Sequence, residues 1–244
     1  MINSSKEKMN SLVILAAGDG KRAKQDIPKQ FVIIDKNSGK RVINLHLPII
    51  KNKNFDFHEI VVVVPNSWFV TIKKELKKIC PIAKVIIGGS NRSKSAAIGI
   101  KACSKKCENV LIHDGARPFA SANLYKLCIE KLKKNDAVIP ITDSIDSSVY
   151  FQNSFEDSNP TYLKREYLKL IQTPQAFKYK LISQAYANLE IEKTDDLQIL
   201  LTYNDKSKVC FINGESANFK ITTKKDVELV MSLIKNHDKE VESI

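Results

Sequence analysis

Unbroken apolar runs alternate with amphipathic stretches along most of this chain. Leu12-Val13-Ile14-Leu15 stops at Ala16-Ala17-Gly18, and Glu59 to Val64 is β-branched, continuous and ended by Pro65. Runs of this kind are strands covered on both faces, as in a parallel sheet. Ala83 to Ile87, Asn109 to Ile112, Ala137 to Pro140 and Val209 to Ile212 repeat the pattern. Between the runs, Ser67 to Ile79 sets Trp68, Ile72 and Leu76 four apart with lysines opposite, which predicts a helix. Ser93 to Cys103 (Ala96, Ala97, Ile100 and Cys103 inward) and Leu124 to Leu132 read the same way. Gln30 to Ile34 and Arg41 to Ile43 flank a turn at Asn37-Ser38-Gly39, and a helical segment follows near Asn44 to Lys51. Strands alternating with helices at this spacing predict an α/β fold with a Rossmann-like, doubly wound, mostly parallel sheet.

The second half changes character. Residues 142–165 are rich in Ser, Asp, Asn and Thr with isolated aromatics (Tyr150, Phe151, Phe155, Tyr162), too long for an ordinary connection. The segment reads either as an extended β-arm or lid whose aromatics bury against a partner subunit, or as a surface loop. Regular structure resumes near Leu168, with a helix expected through Leu189. Another follows from Asp195 to Leu201 with Thr194 as its N-cap, then an edge strand at Asn218 to Thr222. A closing helix spans Asp226 to Ile234, capped by Thr222 or Thr223. No internal repeat interrupts this order, so residues 1–244 are expected to form a single domain carrying the arm.

Composition narrows the class. With 43% hydrophobic and 27% charged residues, a chain of 244 residues has ample material for a core. The net charge of +12 favours polyanionic partners, phosphorylated small molecules or nucleic acid. The lysines are scattered over polar helix faces, however, and no recognition motif accompanies them, so nucleic-acid binding is not expected. Five cysteines without a C-x-x-C pair, Cys103 and Cys107 sharing a predicted helical face, suggest free thiols in a reducing compartment. No apolar run approaches membrane-spanning length. The expectation is a cytoplasmic protein.

Candidate chemistry collects just past the strands. Gly18 and Gly20 with Arg22 and Lys29, then Gly88-Gly89 with Arg92 and Ser95, then Asp114 with Arg117, each follow a predicted strand. In a doubly wound sheet such ends converge on one ligand-binding crevice. Small residues let a backbone approach a ligand closely, and cations with one carboxylate suit phosphoryl or nucleotidyl transfer, where positioning and charge neutralisation dominate. The glycine loop lacks both the dinucleotide fingerprint and a P-loop ending. No Cys-His or Ser-His-Asp set is present for covalent catalysis. His113 reads either as a base or as a hydrogen-bonded structural histidine.

Ala16-Ala17-Gly18-Asp19-Gly20-Lys21-Arg22 with Pro28-Lys29-Gln30 resembles the signature of cytidylyltransferases. The likeness continues through Gly88-Gly89-x-x-Arg92-x-x-Ser95, His113-Asp114-Gly115-Ala116-Arg117-Pro118, Gln172-Thr173-Pro174-Gln175, Thr194-Asp195-Asp196 and Asn218-Phe219-Lys220-Ile221-Thr222. In that order, from Leu12 to Ile234, the set resembles the 2-C-methyl-D-erythritol 4-phosphate cytidylyltransferase family of the non-mevalonate isoprenoid pathway. The resemblance implies that Arg22 and Lys29 are catalytic, gripping the triphosphate of CTP. It implies a nucleotide pocket of Ala16, Ala17, Gly18, Gly20, Gly89, Ser95 and Asp114, with Asp114 also near Mg²⁺ as a metal ligand. Arg165, Lys220, Thr173, Arg117 and Ser144 would position the sugar-alcohol phosphate, Ser144 and Arg165 reaching across a homodimer on the arm. Gly115 and Ser144 depart from the family's usual alanine and threonine, and Gly115 blurs the boundary with the sister ribitol-5-phosphate cytidylyltransferases. A non-catalytic nucleotide-binding protein is the alternative from another class.

Overall fold

The computed structural model describes residues 9–18, 27–35, 38–46, 57–152, 154, 156, 159–188 and 193–242, with side chains as far as residue 234. An eight-stranded sheet runs through it. Its strands are β1 (Met9–Leu15), β4 (Phe57–Val64), β5 (Ala83–Ile87), β6 (Cys107–Asp114), β7 (Ala137–Asp143), β10 (Lys169–Ile171), β11 (Gln175–Lys178) and β12 (Val209–Asn213). The order is β10-β7-β11-β6-β1-β4-β5, with β12 paired to β7. β4-β5, β1-β4, β1-β6 and β7-β12 pair in parallel. β11 departs from the parallel expectation: it slots between β6 and β7 and runs antiparallel to both. β2 (Ile33–Asp35) and β3 (Lys40–Arg41) form one small ribbon, β8 (Ser148–Tyr150) and β9 (Thr161–Leu163) another. The second ribbon lies within residues 142–165, the segment expected to form an arm or a surface loop.

Alternation along the strands explains the continuous apolar runs. Leu12, Ile14, Ile60, Val62, Val64 and Leu111 point to one face, covered by α1 (Asn66–Ile79) and α3 (Ala122–Leu132) through Ile72, Leu76, Leu124 and Tyr125. Val13, Val61, Val63, Val110 and Ile112 point to the other. There α2 (Arg92–Lys101), α4 (Tyr179–Ala187) and α5 (Asp196–Tyr203) supply Ala96, Ile100, Ile182, Leu197 and Leu200. A third cluster of Ile34, Val42, Ile221, Val227 and Val230 ties α6 (Lys224–Glu242) to β2. Trp68 stacks on Phe31 at 4.7 Å beneath the Arg41 guanidinium, a packing role.

Several local expectations change. Val42–His46 is a 3-10 turn rather than strand and α-helix, and the rest of the expected helix lies outside the described residues. α2 ends at Lys101, so Cys107 opens β6 and shares no helical face with Cys103. Asp195, not Thr194, caps α5, because its carboxylate accepts the Leu197 N–H at 3.0 Å. Thr223 caps α6 as expected: its hydroxyl accepts the Asp226 N–H while the Asp226 carboxylate accepts the Thr223 N–H. Asn218 to Thr222 is not an edge strand. Its backbone groups bond to separate places, Asn218 N–H to the Glu215 carbonyl and Ile221 N–H to the Ala116 carbonyl.

Close packing of α2 on the sheet depends on Gly99. A Cβ there would stand 2.5 Å from Val13 Cγ1 and 3.0 Å from Val63 Cγ2. Gly99→Ala is therefore expected to destabilise the fold by about 1–3 kcal/mol, the usual cost of overpacking, despite alanine's higher helix propensity. Urea unfolding measures this; an unchanged or raised midpoint would count against the packing described.

Candidate active site

Three loops meet at the carboxyl ends of β1, β5 and β6, where register pairs Leu15 with Asp114. Ala16 and Ala17 follow β1, and a Cβ on Gly88 would lie 2.5 Å from that of Ala17 and 2.9 Å from Ser95 Oγ. The small residues thus let the first two loops touch. Gly89 donates its N–H to Ser95 Oγ at 3.1 Å, and Ser95 in turn donates to the Asn91 carbonyl at 2.8 Å. Gly115 donates to the Leu15 carbonyl at 2.8 Å and packs against Ala16 with no room to spare. Gln30 reaches across the first loop, its Nε2 donating to the carbonyls of Ala16 at 2.7 Å and Gly18 at 3.0 Å. Gly20 and Arg22 lie outside the described residues.

An ion cluster forms the floor. Lys220 Nζ donates to Asp114 Oδ2 at 2.6 Å, and Arg92 Nε and Nη2 both face Asp114 Oδ1 at 3.3 Å. Arg92 also grips Asp196 with two nitrogens, at 3.0 and 2.7 Å, and the Tyr186 hydroxyl donates to the same carboxylate. Asp196 is 0% exposed. Burial alone raises the Asp114 carboxyl's affinity for a proton, but Arg92, then Lys220, outweigh it and hold the group well below the usual carboxylate range. Burial likewise opposes charge on Arg92, and Asp196 and Asp114 outweigh it. Arg117 Nη1 donates to the Asn218 carbonyl at 2.9 Å, which points its side chain along the Lys220 segment. Lys29 Nζ donates to the Ile221 carbonyl at 3.5 Å and to that of Thr222, on the same segment.

Beneath this floor Thr173 Oγ1 accepts the Asp114 N–H at 3.0 Å and lies 3.0 Å from His113 Nδ1. His113 is fully buried beside His46, ring centroids 5.0 Å apart. Burial, with His46 adding to it, lowers the His113 pKa to about 3, and burial lowers His46 to about 4. His113 is thus the hydrogen-bonded structural histidine rather than a base working near neutral pH.

The predicted arm residues sit apart from the floor. Arg165 Nη1 donates to the Ile145 carbonyl at 3.0 Å and Ser144 Oγ to the Asp146 carbonyl at 3.1 Å. With Asp143, Ile145, Lys164 and Glu166 they line an open cleft of about 600 Å³. Arm and adjoining edge expose large apolar groups: Ile145 is 85% exposed, Tyr162 76% and Tyr167 77%.

Of the expected site residues, the structure brings Ala16, Ala17, Gly18, Gly89, Ser95, Asp114, Arg117, Thr173, Lys220 and Lys29 to the β1, β5 and β6 strand ends, and Ser144 and Arg165 to the arm's base. Sequence reasoning counted Arg92 among the cations of the crevice without its partners, and gave no role to Asp196 or Gln30, although each lies in a quoted motif. Asp196 had one signal, an acid in the first turn of a helix, and that signal equally fits an exposed dipole partner. Among the described residues no three His, Cys, Asp or Glu side chains form a metal-ligand group. Asp114 offers one carboxylate, already paired on both oxygens. Mg²⁺ commonly binds one or two carboxylates plus substrate phosphates, so this donor set fits a metal arriving on a triphosphate and not a resident protein cage.

These shifts fix the pH dependence of stability. His46 and His113 have folded pKa values of about 4 and about 3 against 6.5 in the unfolded chain, so the unfolded state takes up protons that the fold refuses as pH falls below 6.5. The ion pairing of Asp114, fully stabilising above its unfolded value of 3.8, is lost at lower pH still. Unfolding midpoints should therefore be flat near pH 7–8 and fall between about pH 6.5 and 4, then further below. Midpoints that hold constant down to pH 4 would contradict the buried neutral histidines.

Comparison with known proteins agrees with this geometry. The family model for 2-C-methyl-D-erythritol 4-phosphate cytidylyltransferase matches residues 11–236. A protein of that name from Lachnospira eligens is 32% identical over 237 residues, covering 93% of this chain and 100% of its own length. The bifunctional enzyme IspD/IspF of Pelagibacter ubique is 38% identical over 224 residues, 90% of this chain, which spans 56% of that longer protein. The crystal structure of 4-diphosphocytidyl-2C-methyl-D-erythritol synthase from Anaerococcus prevotii superposes with a TM-score of 0.78 at 32% identity, covering 93% of this chain and 99% of that one. With the family's sequence pattern matched from β1 into α6, and its fold shared by a solved relative, the chain belongs to the 2-C-methyl-D-erythritol 4-phosphate cytidylyltransferase family.

Proposed function

We propose that this enzyme transfers CMP from CTP to 2-C-methyl-D-erythritol 4-phosphate, giving the CDP-linked sugar alcohol and pyrophosphate. The observation that carries the reading is the Arg92–Asp114–Lys220 cluster set among glycine-lined strand ends. In the step, an oxygen of the acceptor's phosphate attacks the α-phosphorus of CTP in line. One P–O bond forms, the α–β bridge P–O bond breaks, and its electrons leave with pyrophosphate. A phosphate oxygen needs no base to become nucleophilic, so the site must position anions and neutralise charge. Lys29 and Arg22 would neutralise the triphosphate as the α-phosphorus becomes pentacoordinate. Lys220, set by Asp114, would hold the acceptor phosphate with Arg117 beside it. Gly18, Gly20, Gly89 and Ser95 would frame cytosine and ribose. Mg²⁺, held by Asp114 and the phosphates, would supply further charge neutralisation.

The arm supports a homodimer. Ile145, Tyr162 and Tyr167 leave large apolar groups in water that a second copy would bury, and such a copy would bring Ser144 and Arg165 to its partner's acceptor site. Membrane insertion finds no support: among the described residues no helix is long and apolar enough to cross one.

Purified protein with CTP, Mg²⁺ and methylerythritol phosphate should release pyrophosphate, and EDTA should stop it. Lys29→Ala should lower kcat by about a hundred- to a thousandfold, as loss of one transition-state donor does elsewhere. Release only with ribitol 5-phosphate would move the chain to the sister activity, and no release with either would favour a binding protein. In solution the protein should sediment at twice the 27.5 kDa chain mass. Tyr162→Lys should shift it toward monomer and lower the rate; a monomeric wild type with full activity would remove the arm from the site.

A further inference from the structure

Gln172 is a buried amide just past β10, and its side-chain hydrogen bonds all go to one turn. Its Nε2 donates to the Glu215 carbonyl at 2.9 Å, while its Oε1 accepts the Glu215 N–H at 3.1 Å and Asn218 Nδ2 at 3.2 Å. The side chain thus pairs with Glu215 as a neighbouring strand would, meeting its N–H and its carbonyl together. A primary amide has the donor and the acceptor this needs; a carboxylate lacks the donor and an apolar side chain lacks both. The Asn218 N–H closes the turn on the Glu215 carbonyl at 3.0 Å, and Asn218 Nδ2 also donates to the Thr173 carbonyl at 2.8 Å.

The contact depends on the residue before the turn. Gly214 donates its N–H to the Ile141 carbonyl at 2.7 Å and Gln172 donates its own to the Pro140 carbonyl at 2.9 Å, so β7 holds the two side by side. A Cβ on Gly214 would lie 2.7 Å from Gln172 Oε1 and 3.0 Å from Thr142 Cγ2. The missing side chain lets the amide reach the turn.

Lys220 stands two residues beyond Asn218 and one before Ile221, whose N–H is fixed to the Ala116 carbonyl at 2.8 Å. These two anchors bracket it: one is the loop after β6, the other is the turn that Gln172 holds. The Lys220 side chain is part-exposed and meets Asp114 by a single contact, so its backbone anchors decide where its ammonium stands.

We propose that Gln172 is a positioning residue for the acceptor substrate, acting through the 215–218 turn to place Lys220, with Gly214 making room for it. The inference rests on the nucleotidyl-transfer reading of the site, in which Lys220 holds the acceptor phosphate.

The test uses the full-length chain with Mg²⁺, following pyrophosphate while CTP and methylerythritol phosphate are varied in turn. Gln172→Met keeps the length of the side chain and loses its three bonds. The kcat/KM for the acceptor should fall about ten- to a hundredfold, the scale on which small misplacement of a positioning group acts, while the KM for CTP stays within about twofold. A merely structural role would lower the amount of active enzyme and leave both KM values alone. Gly214→Ala should give a milder loss of the same kind, without any change at residue 172. In the Gln172→Ala background Gly214→Ala should cost less than in the wild type, because the oxygen it meets is gone. Amide exchange gives a second readout: the Asn218 N–H should exchange faster in Gln172→Met than in the wild type. The proposal is overturned if Gln172→Met leaves the acceptor KM and kcat/KM unchanged, if it weakens CTP and acceptor equally, or if the Gly214 and Gln172 effects add. Should Gln172→Met fail to fold, Gly214→Ala decides by the same criteria. A wild type that releases no pyrophosphate fails the reaction and this proposal with it; an active wild type with acceptor kinetics indifferent to these variants fails the proposal alone.

Discussion

A carboxylate at the end of a buried strand is tolerable only when cations meet it, and Asp114 is where this fold meets that constraint. Its oxygens are divided between Arg92 and Lys220, which come from α2 and from the segment before α6. Arg92 would itself be an uncompensated charge if Asp196 did not receive two of its nitrogens from the start of α5. One ion cluster therefore fixes the relative placement of β6, α2, α5 and the 218–222 segment. Removing one partner from such a cluster costs far more than the pair contributes over an apolar replacement, because it strands a buried charge. The elements that border the proposed site are held together by this one cluster.

Bringing those elements close enough is the work of small side chains. Gly88 lies against Ala17, Gly115 against Ala16, and Gly99 beneath Val13 and Val63, so each loop or helix approaches β1 or β4 at a distance no larger residue permits. Gln30 then ties the loop after β1 to the turn carrying Lys29. The same packing places Lys29 over the carbonyls that follow Lys220, so two cations expected to meet different phosphates share one short stretch of backbone.

Much of this was legible in the sequence, for physical reasons that differ by element. The strands of the central sheet were plain because burial on both faces forces continuous apolar runs, and the helices because one covered face imposes a period near four. The motif residues at the strand ends were legible through glycine, alanine and charge in a recurring order. The antiparallel insertion of β11 was not, since four residues of Gln-Ala-Phe-Lys carry no mark of direction. Asn218 to Thr222 looked like a strand by composition, yet its hydrogen bonds go to scattered partners that only tertiary contact supplies. The partnership of Arg92 with Asp196 joins residues 104 apart, and no local pattern reports it.

Within the ion cluster two carboxylates, Asp114 and Asp196, meet two cations, Arg92 and Lys220. The two cations are nonetheless unequal. Arg92 is locked by a bidentate pair to a fully buried carboxylate, whereas Lys220 reaches Asp114 by one contact from a side chain 40% exposed. Exchange of a carboxylate partner for a phosphate costs little when the ammonium is already partly in water, and much when a planar guanidinium must leave two bonds. The floor thus pairs a rigid cation that maintains the architecture with a movable one that can meet an anion. That division follows from burial alone, without any change of fold.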